Sequence, residues 1–444
     1  MIALELPVLL DLYARIAPGE LFRLLERNLG LTKRSGIYTP RVLIWMMMMQ
    51  RLDARGTLAG AVDQLASGKL DPLLSRCKRV QEKRISISTG GYCQARQNLP
   101  QVLLERGVEE ILQRLRNDLG ERMAGLECPV YVLDGSSLQL EHGAELCAAY
   151  PPAPNQQGAS HWPILRVVVV HDVVTGMAQC PCWGAMFGPA AVSEQALAER
   201  ALDPLPPGGV VIGDRNFGIF ATAYAAHQRG QKVVIRLTAA RAKRLLGRAI
   251  AQEGDYRVEW RASRWDRAGA ANRPHDAVLA GRLVAARVGR GKSKQWLYLF
   301  TTLPLPAQEV VALYGKRWNV ETDLRSLKQT VRLQRLSVHS IEMMEKELLT
   351  AILAYNLVRA MMMLAARQAA VDPRQLSFTH AYHLVQIGIT DVLGATTEAE
   401  QIARMQRILS MIGRCKLPKR SKRRSYPRAV WGTGAKYPSR GKTK

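Results

Sequence analysis

The chain has 444 residues, 47% of them hydrophobic, enough for two or three domains and a sizeable core. Its 63 Lys and Arg against 37 Asp and Glu give a formal charge of +26 and a pI near 10.2, which points to a polyanionic partner, most often nucleic acid. Seven scattered cysteines, an odd number, exclude a disulfide framework and fit a reducing cytosol.

The first residues lack a basic n-region and carry Glu5 where an apolar leader would begin, so no secretory segment is expected. Residues 1–126 read as helical, with apolar residues at three and four spacing through Val42–Leu52, Leu58–Leu65 and Val102–Leu115. The run Val42–Met49 is too short to span a bilayer, and its four consecutive Met read as core filler. From Ser86 a short capped helix, a turn at Asn98–Pro100 and a longer helix follow. Two readings stand side by side: a helix-turn-helix with Arg84 and Arg96 facing DNA, or a plain helical hairpin.

From Cys128 the texture changes to strands. Val130–Leu133 leads into Asp134-Gly135, and a polar, Pro-rich loop spans Tyr150–Trp162. Ile164–Val170 reads as a buried strand, Thr175–Gly176 as a turn, and Met177–Met186 as a third strand. Cys180-Pro-Cys182 lacks a metal-knuckle spacer and reads as strand packing. A helix at Ser193–Leu202, a strand at Gly209–Gly213 ending in Asp214-Arg-Asn-Phe-Gly, a further helix and a strand at Lys232–Leu237 complete an order found in RNase H-like folds, among other mixed α/β domains.

Residues 241–305 interrupt that order with short alternating segments and read as a β-rich insertion. Gly291-Lys292-Ser293 is not a phosphate loop, because Ala286 stands where the motif needs glycine. The eight His show no metal-ligand spacing. A helix begins near Gln308, and Leu348–Ala366 is long enough to cross a membrane. Asn356 and Arg359 at its centre favour a buried core helix, and no membrane partner is expected. After residue 400 there are fourteen Lys and Arg and no acid, over half of the net charge. The expected organisation is a helical N-terminal domain (1–126), a mixed α/β core in two parts (127–240 and 306–400), the insertion (241–305) and a basic tail (401–444).

Phosphodiester cleavage by two metal ions needs convergent carboxylates with hard oxygen ligands for magnesium or manganese. Asp134, Asp214 and Glu321 are the candidates. Each has a plainer reading: Asp134-Gly135 as a hairpin turn, Asp214 as a helix N-cap, Glu321 as an ion pair with Arg317 or Arg325. Tyr314, Arg317, Glu321 and Lys328 are spaced by three, four and seven, which puts all four on one stripe of a single helix. Asp323, two residues on, faces away from that stripe.

The pattern Tyr314-x2-Arg317-x3-Glu321-x6-Lys328 resembles the signature of the DDE transposases of bacterial insertion sequences, in the group often called the IS-four family. Asp214-Arg-Asn-Phe217 is similar to that group's second-aspartate motif, and Tyr355-Asn-Leu-Val-Arg359 and Arg424-Ser-Tyr-Pro-Arg428 are similar to recurring segments. The resemblance covers residues 85 to 440. It implies an RNase H-like catalytic domain in which Asp134, Asp214 and Glu321 hold two Mg2+ or Mn2+ ions. Tyr314, Arg317 and Lys328 would contact end DNA, and Trp296 would stack on a flipped base. It also implies cut-and-paste chemistry on terminal inverted repeats and target DNA, by a homodimer in the cytoplasm at the nucleoid. An RNase H-like nuclease or resolvase, or a non-catalytic DNA-binding descendant, are the alternatives.

Overall fold

The computed structural model describes residues 9–418 apart from 32–35, 54–55, 69, 75–76, 78–81, 83, 121–122, 124, 156–157, 264–273, 275, 290–293, 334–335, 337, 394 and 396. Gly291-Lys292-Ser293 and Arg424–Arg428 lie outside the described residues.

The chain begins with helices α1 (Leu9–Ile16), α2 (Gly19–Asn28), α3 (Pro40–Leu52), α4 (Leu58–Ala66), α5 (Asp71–Leu74), α6 (Thr89–Gln97) and α7 (Gln101–Leu119). Pro40 opens α3 at a position where its missing N–H costs nothing, and Met46–Met49 are all buried there. Ser88 caps α6 by accepting the Gly90 N–H. The α7 pattern is amphipathic, with Leu104, Val108, Ile111 and Leu115 turned inward.

Among the described residues nine strands form one sheet: β1 (Val130–Gln139), β2 (Pro152–Asn155), β3 (Gly158–Asp172), β4 (Cys182–Ala185), β5 (Val210–Gly213), β6 (Lys232–Leu237), β7 (Gly254–Arg261), β8 (Val278–Val288) and β9 (Gln295–Thr301). The path across the sheet is β2-β3-β1-β5-β6-β9-β8-β7, with β4 paired to β3. Only the β1–β5 and β5–β6 pairs are parallel; the rest are antiparallel. The all-apolar runs Val167–Val170 and Val210–Ile212 are buried, as strands covered on both faces require. Short helices α8 (Ala144–Ala149), α9 (Glu194–Ala201), α10 (Phe220–Gln228) and α11 (Ala239–Leu246) connect or flank these strands.

Two observations bear on organisation. The strands of residues 241–305, read as a β-rich insertion, continue the main sheet, because β9 pairs with β6 and carries β8 and β7 on into it. The N-terminal helices have no core of their own, because one apolar cluster runs from Leu12 through α3 and α7 to Ile412. Its centre is α14 (Ile341–Ala369), which packs against α3, α7, α15 (Phe378–Leu393) and α16 (Glu398–Arg414). The most apolar window of α14 is long enough to cross a membrane but is wholly buried. Asn356 is satisfied there by the backbone of Ala178, donating to its carbonyl at 2.9 Å and accepting its N–H at 2.8 Å.

Between β9 and α14 lie α12 (Ala307–Gly315), α13 (Trp318–Arg325) and a π-turn at Ser326–Thr330. The single helix expected for the four-residue stripe is thus three segments. Gly315 ends α12, and the backbone N–H groups of Lys316, Arg317, Asn319 and Val320 then bond three residues back, tightening the chain at the junction with α13.

Candidate active site

Asp134 and Asp214 stand side by side. Val132 of β1 pairs with Ile212 of β5, and each aspartate lies two residues further along these parallel neighbours. The turn reading of Asp134-Gly135 fails because β1 continues through it, with Asp134 opposite Val169 and Gly135 opposite Val168 on β3. The N-cap reading of Asp214 fails because α10 starts six residues later and is capped at Ile219. One oxygen of each carboxylate is held locally. Asp134 Oδ1 accepts the Gly135 N–H at 3.0 Å, and Asp214 Oδ1 accepts those of Asn216 at 2.8 Å and Phe217 at 3.4 Å. Burial pushes the Asp134 carboxyl up to about 6, and the neighbouring Asp214 charge adds to the rise.

Glu321 sits on α13, which packs against β1. Its carboxylate accepts from Arg317 Nη2 at 2.9 Å, so the ion-pair reading describes this conformation. Arg317 also acts electrostatically on Asp134 and Asp214, which makes it the cation common to all three acids. Among the described residues no three acids or other metal-ligating groups converge closely enough to hold an ion as they stand. Tyr314 is buried on α12 beside Arg317 and Arg236, and burial raises its phenol. Lys328, in the π-turn, donates to Ser136 Oγ and Ser137 O, both at 2.9 Å, and burial lowers its ammonium.

Asp323 does face away from the stripe, with a definite role. It is 1% exposed and receives both Arg374 nitrogens, at 2.9 and 2.7 Å, and Arg359. Burial alone would raise its carboxyl; the two guanidiniums override that and hold it below the usual range. Arg359 lies over the rings of Tyr355 and Phe378, and the Tyr355 hydroxyl donates to Gly176 O at 2.8 Å. The 355–359 segment therefore anchors the Glu321 helix from beneath.

Two candidates sit differently from expectation. Arg96 does not face outward: it is 7% exposed, bonded to Gln50 at 3.1 Å and paired with Glu347 at 3.5 Å. A guanidinium so placed completes a buried charge pair. The longer helix beside it, α7, presents Glu109 and Glu110 to solvent, and Arg106 is paired with Glu109, which suits a helical hairpin better than a phosphate-facing reader. Arg84 remains exposed beside Glu82. Trp296 lies second in β9, beyond the level of Leu237, at the same end of the sheet as the aspartates and two strands from β5. Its ring is engaged by Arg287, 5.0 Å from the centroid, and by Tyr298, stacked at 5.7 Å.

Glu194 was not singled out in the sequence. It opens α9, close enough to Asp134 and Asp214 to act on both electrostatically, and burial followed by the Asp214 charge raises its carboxyl. An acid one residue past Ser193 looks like an ordinary helix start, and nothing local marks it as a neighbour of β1.

The transposase DDE domain family matches residues 128–357, a span that holds both aspartates and Glu321. The chain belongs to that family. A similar protein is the transposase InsG for insertion sequence element IS4 from Escherichia coli (strain K12), 26% identical over 438 residues, covering 95% of this chain and 92% of the relative. This transposase is thus an enzyme of DNA cleavage and strand transfer that depends on divalent metal. The donor set fits such an ion in part: Asp134 and Asp214 each keep one oxygen outside the local backbone bonds just described, while Glu321 must first leave Arg317.

Proposed function

We propose that the transposase frees the ends of its element and joins them to target DNA by a cut-and-paste route, with Asp134, Asp214 and Glu321 as the metal-holding carboxylates. The observation that carries this reading is the register of β1 and β5, which sets two half-buried aspartates next to each other at one end of the sheet. Strand order supports an RNase H-like core: β4, β3, β1, β5 and β6 lie side by side, with β1, β5 and β6 parallel. Two ions, Mg2+ or Mn2+, would lower the cost of charge at the attacking and leaving oxygens.

The chain's own residues do the rest. Arg317 presents a planar fork suited to a phosphate, and moving to that phosphate releases Glu321 toward the aspartates. Tyr314 and Lys328 hold the end DNA near the scissile bond. Trp296 offers a face for an unstacked base once Arg287 gives way. Segment 1–126 docks the terminal repeats through exposed basic side chains such as Arg84, 127–240 and 306–400 form the catalytic core, and 241–305 extends its sheet; within 401–444, where residues up to Arg414 belong to the packed helix α16, the Lys and Arg beyond that helix bind phosphates nonspecifically. Two ends cut in concert imply a homodimer on DNA, and the working compartment is the cytoplasm at the nucleoid.

The test is a plasmid carrying the gene with its native flanks, incubated with the protein and Mg2+ beside Asp214→Asn. Metal-dependent cuts at the outer edges of flanking inverted repeats, absent with Asp214→Asn, are expected. Cuts at arbitrary sites would indicate a general nuclease, and cutting by Asp214→Asn would remove the carboxylate assignment.

A further inference from the structure

Asp214 closes β5 at the start of an exposed loop, where nothing in the strand ladder fixes its carboxylate. What fixes it is the following turn, in which the Asn216 backbone N–H donates to Asp214 Oδ1 at 2.8 Å and that of Phe217 at 3.4 Å. Asn216 is itself gripped from α9 by two consecutive side chains. Gln195 Nε2 donates to its carbonyl at 3.0 Å and to its Oδ1 at 2.8 Å, and its Nδ2 donates to Glu194 Oε2. The other Glu194 oxygen fills the space over Gly135, where a methyl group on Gly135 would overlap it. Ser193 fixes this end of α9 by accepting the Ala196 N–H at 3.1 Å, and α9 packs against β3, β4 and α10.

We infer that Glu194 is a positioning residue for the DNA-cleavage reaction, acting through Asn216 to hold the Asp214 carboxylate in place beside Asp134. The inference rests on the carboxylate assignment made above. An acid in the first turn of a helix also complements the helix dipole, but that role needs neither Asn216 nor the space over Gly135. Partners in the second layer around a metal-holding carboxylate orient it, and losing one typically costs about 10–100-fold in metal affinity or activity.

The experiment compares Glu194→Ala, Glu194→Gln, Asn216→Ala, the Glu194→Ala/Asn216→Ala double variant and Asp214→Asn in the full chain. The plasmid cleavage assay is run across a Mg2+ series, with melting temperature and gel-shift binding of a labelled flank fragment in parallel. Glu194→Ala and Asn216→Ala should each slow cleavage about tenfold and move half-saturation to higher Mg2+, with melting and binding unchanged. Glu194→Gln, which keeps an acceptor for Asn216, should restore most of the rate. The double variant should be no slower than the slower single variant, because both remove one connection. Wild-type behaviour of Glu194→Ala, additive losses in the double variant, a loss that follows melting temperature, or failure of Gln to rescue would each overturn the inference, the last by making Glu194 a direct charge contact. Cutting by Asp214→Asn would overturn it together with the carboxylate assignment; an inactive Asp214→Asn beside an unaffected Glu194→Ala overturns the inference alone.

Discussion

The ammonium of Lys328 lies 2.9 Å from the hydroxyl of Ser136, two residues beyond Asp134 on the same strand. The last member of the helix signature is thereby tied to the strand that carries the first aspartate. The π-turn at Ser326–Thr330 permits it, since one widened turn swings Lys328 toward β1.

If Lys328 leaves that partner for a phosphate, Lys328→Ala should weaken binding of end DNA and lower the salt slope of log affinity by about one. Ser136→Ala should leave the slope unchanged, because it removes no charge. Fluorescence anisotropy across a NaCl series reads both, and an unaltered slope for Lys328→Ala would place the lysine in a purely structural role.

Asp323 forms ion pairs with two buried guanidiniums, those of Arg359 and Arg374. Asp323→Asn should destabilise the protein by about 3–5 kcal/mol, the usual cost of leaving buried charge unpaired. Arg374→Lys should fall between wild type and Asp323→Asn, since an ammonium cannot make the paired contacts. Urea unfolding gives the values, and a loss below about 1 kcal/mol for Asp323→Asn would mean that water enters and solvates the site.

His171 is fully buried behind Tyr355, its two ring nitrogens without hydrogen-bond partners among the described residues, and burial lowers it to about 4, with Asp323 favouring its charge and Arg359 and Arg374 opposing it. The unfolded chain therefore takes up the proton first, near the ordinary 6.5. Stability held above that value is lost as pH falls toward 4, on the order of 3 kcal/mol in all. Neighbouring Asp172 is raised by burial and acts in the opposite sense, so the quantity to follow is the difference between wild type and His171→Phe. That difference should shrink on acidification from pH 7 to pH 4.5; a constant difference would show that the ring takes up its proton while folded.

Gly135→Ala should cost little stability, because the atom in its way is the end of a flexible side chain, yet it should slow cleavage to the extent that Glu194→Ala does. Parallel melting and plasmid assays decide it, and a large fall in melting temperature would point to distortion of β1.

The helices and most strands were legible because their apolar spacing is local: Met46–Met49, the stripe Leu104, Val108, Ile111 and Leu115, and Val167–Val170 are buried as their patterns imply. Asp134-Gly135 carries a strong local turn signal and still lies in mid-strand, because the β3 ladder bonds straight past it. Arg96 was misleading for a similar reason, since its partner Glu347 comes from a distant helix. The two aspartates and Glu321 were visible as residue types at plausible places in the order. Their spatial relation depends on the β1–β5 register and on Arg317, which no spacing rule reports. Glu194 was illegible altogether, because its importance lies in a gap left by a glycine on another element.

The backbone ladder from β6 into β9, β8 and β7 denies the 254–301 strands a hinge. They cannot swing over a bound duplex like a lid. If a nucleic acid touches both the aspartates and this outer wing, the adjustment that fits one to the other comes from the nucleic acid's own bending or unstacking. Sequences whose base steps yield easily should then be favoured even where no side chain reads them.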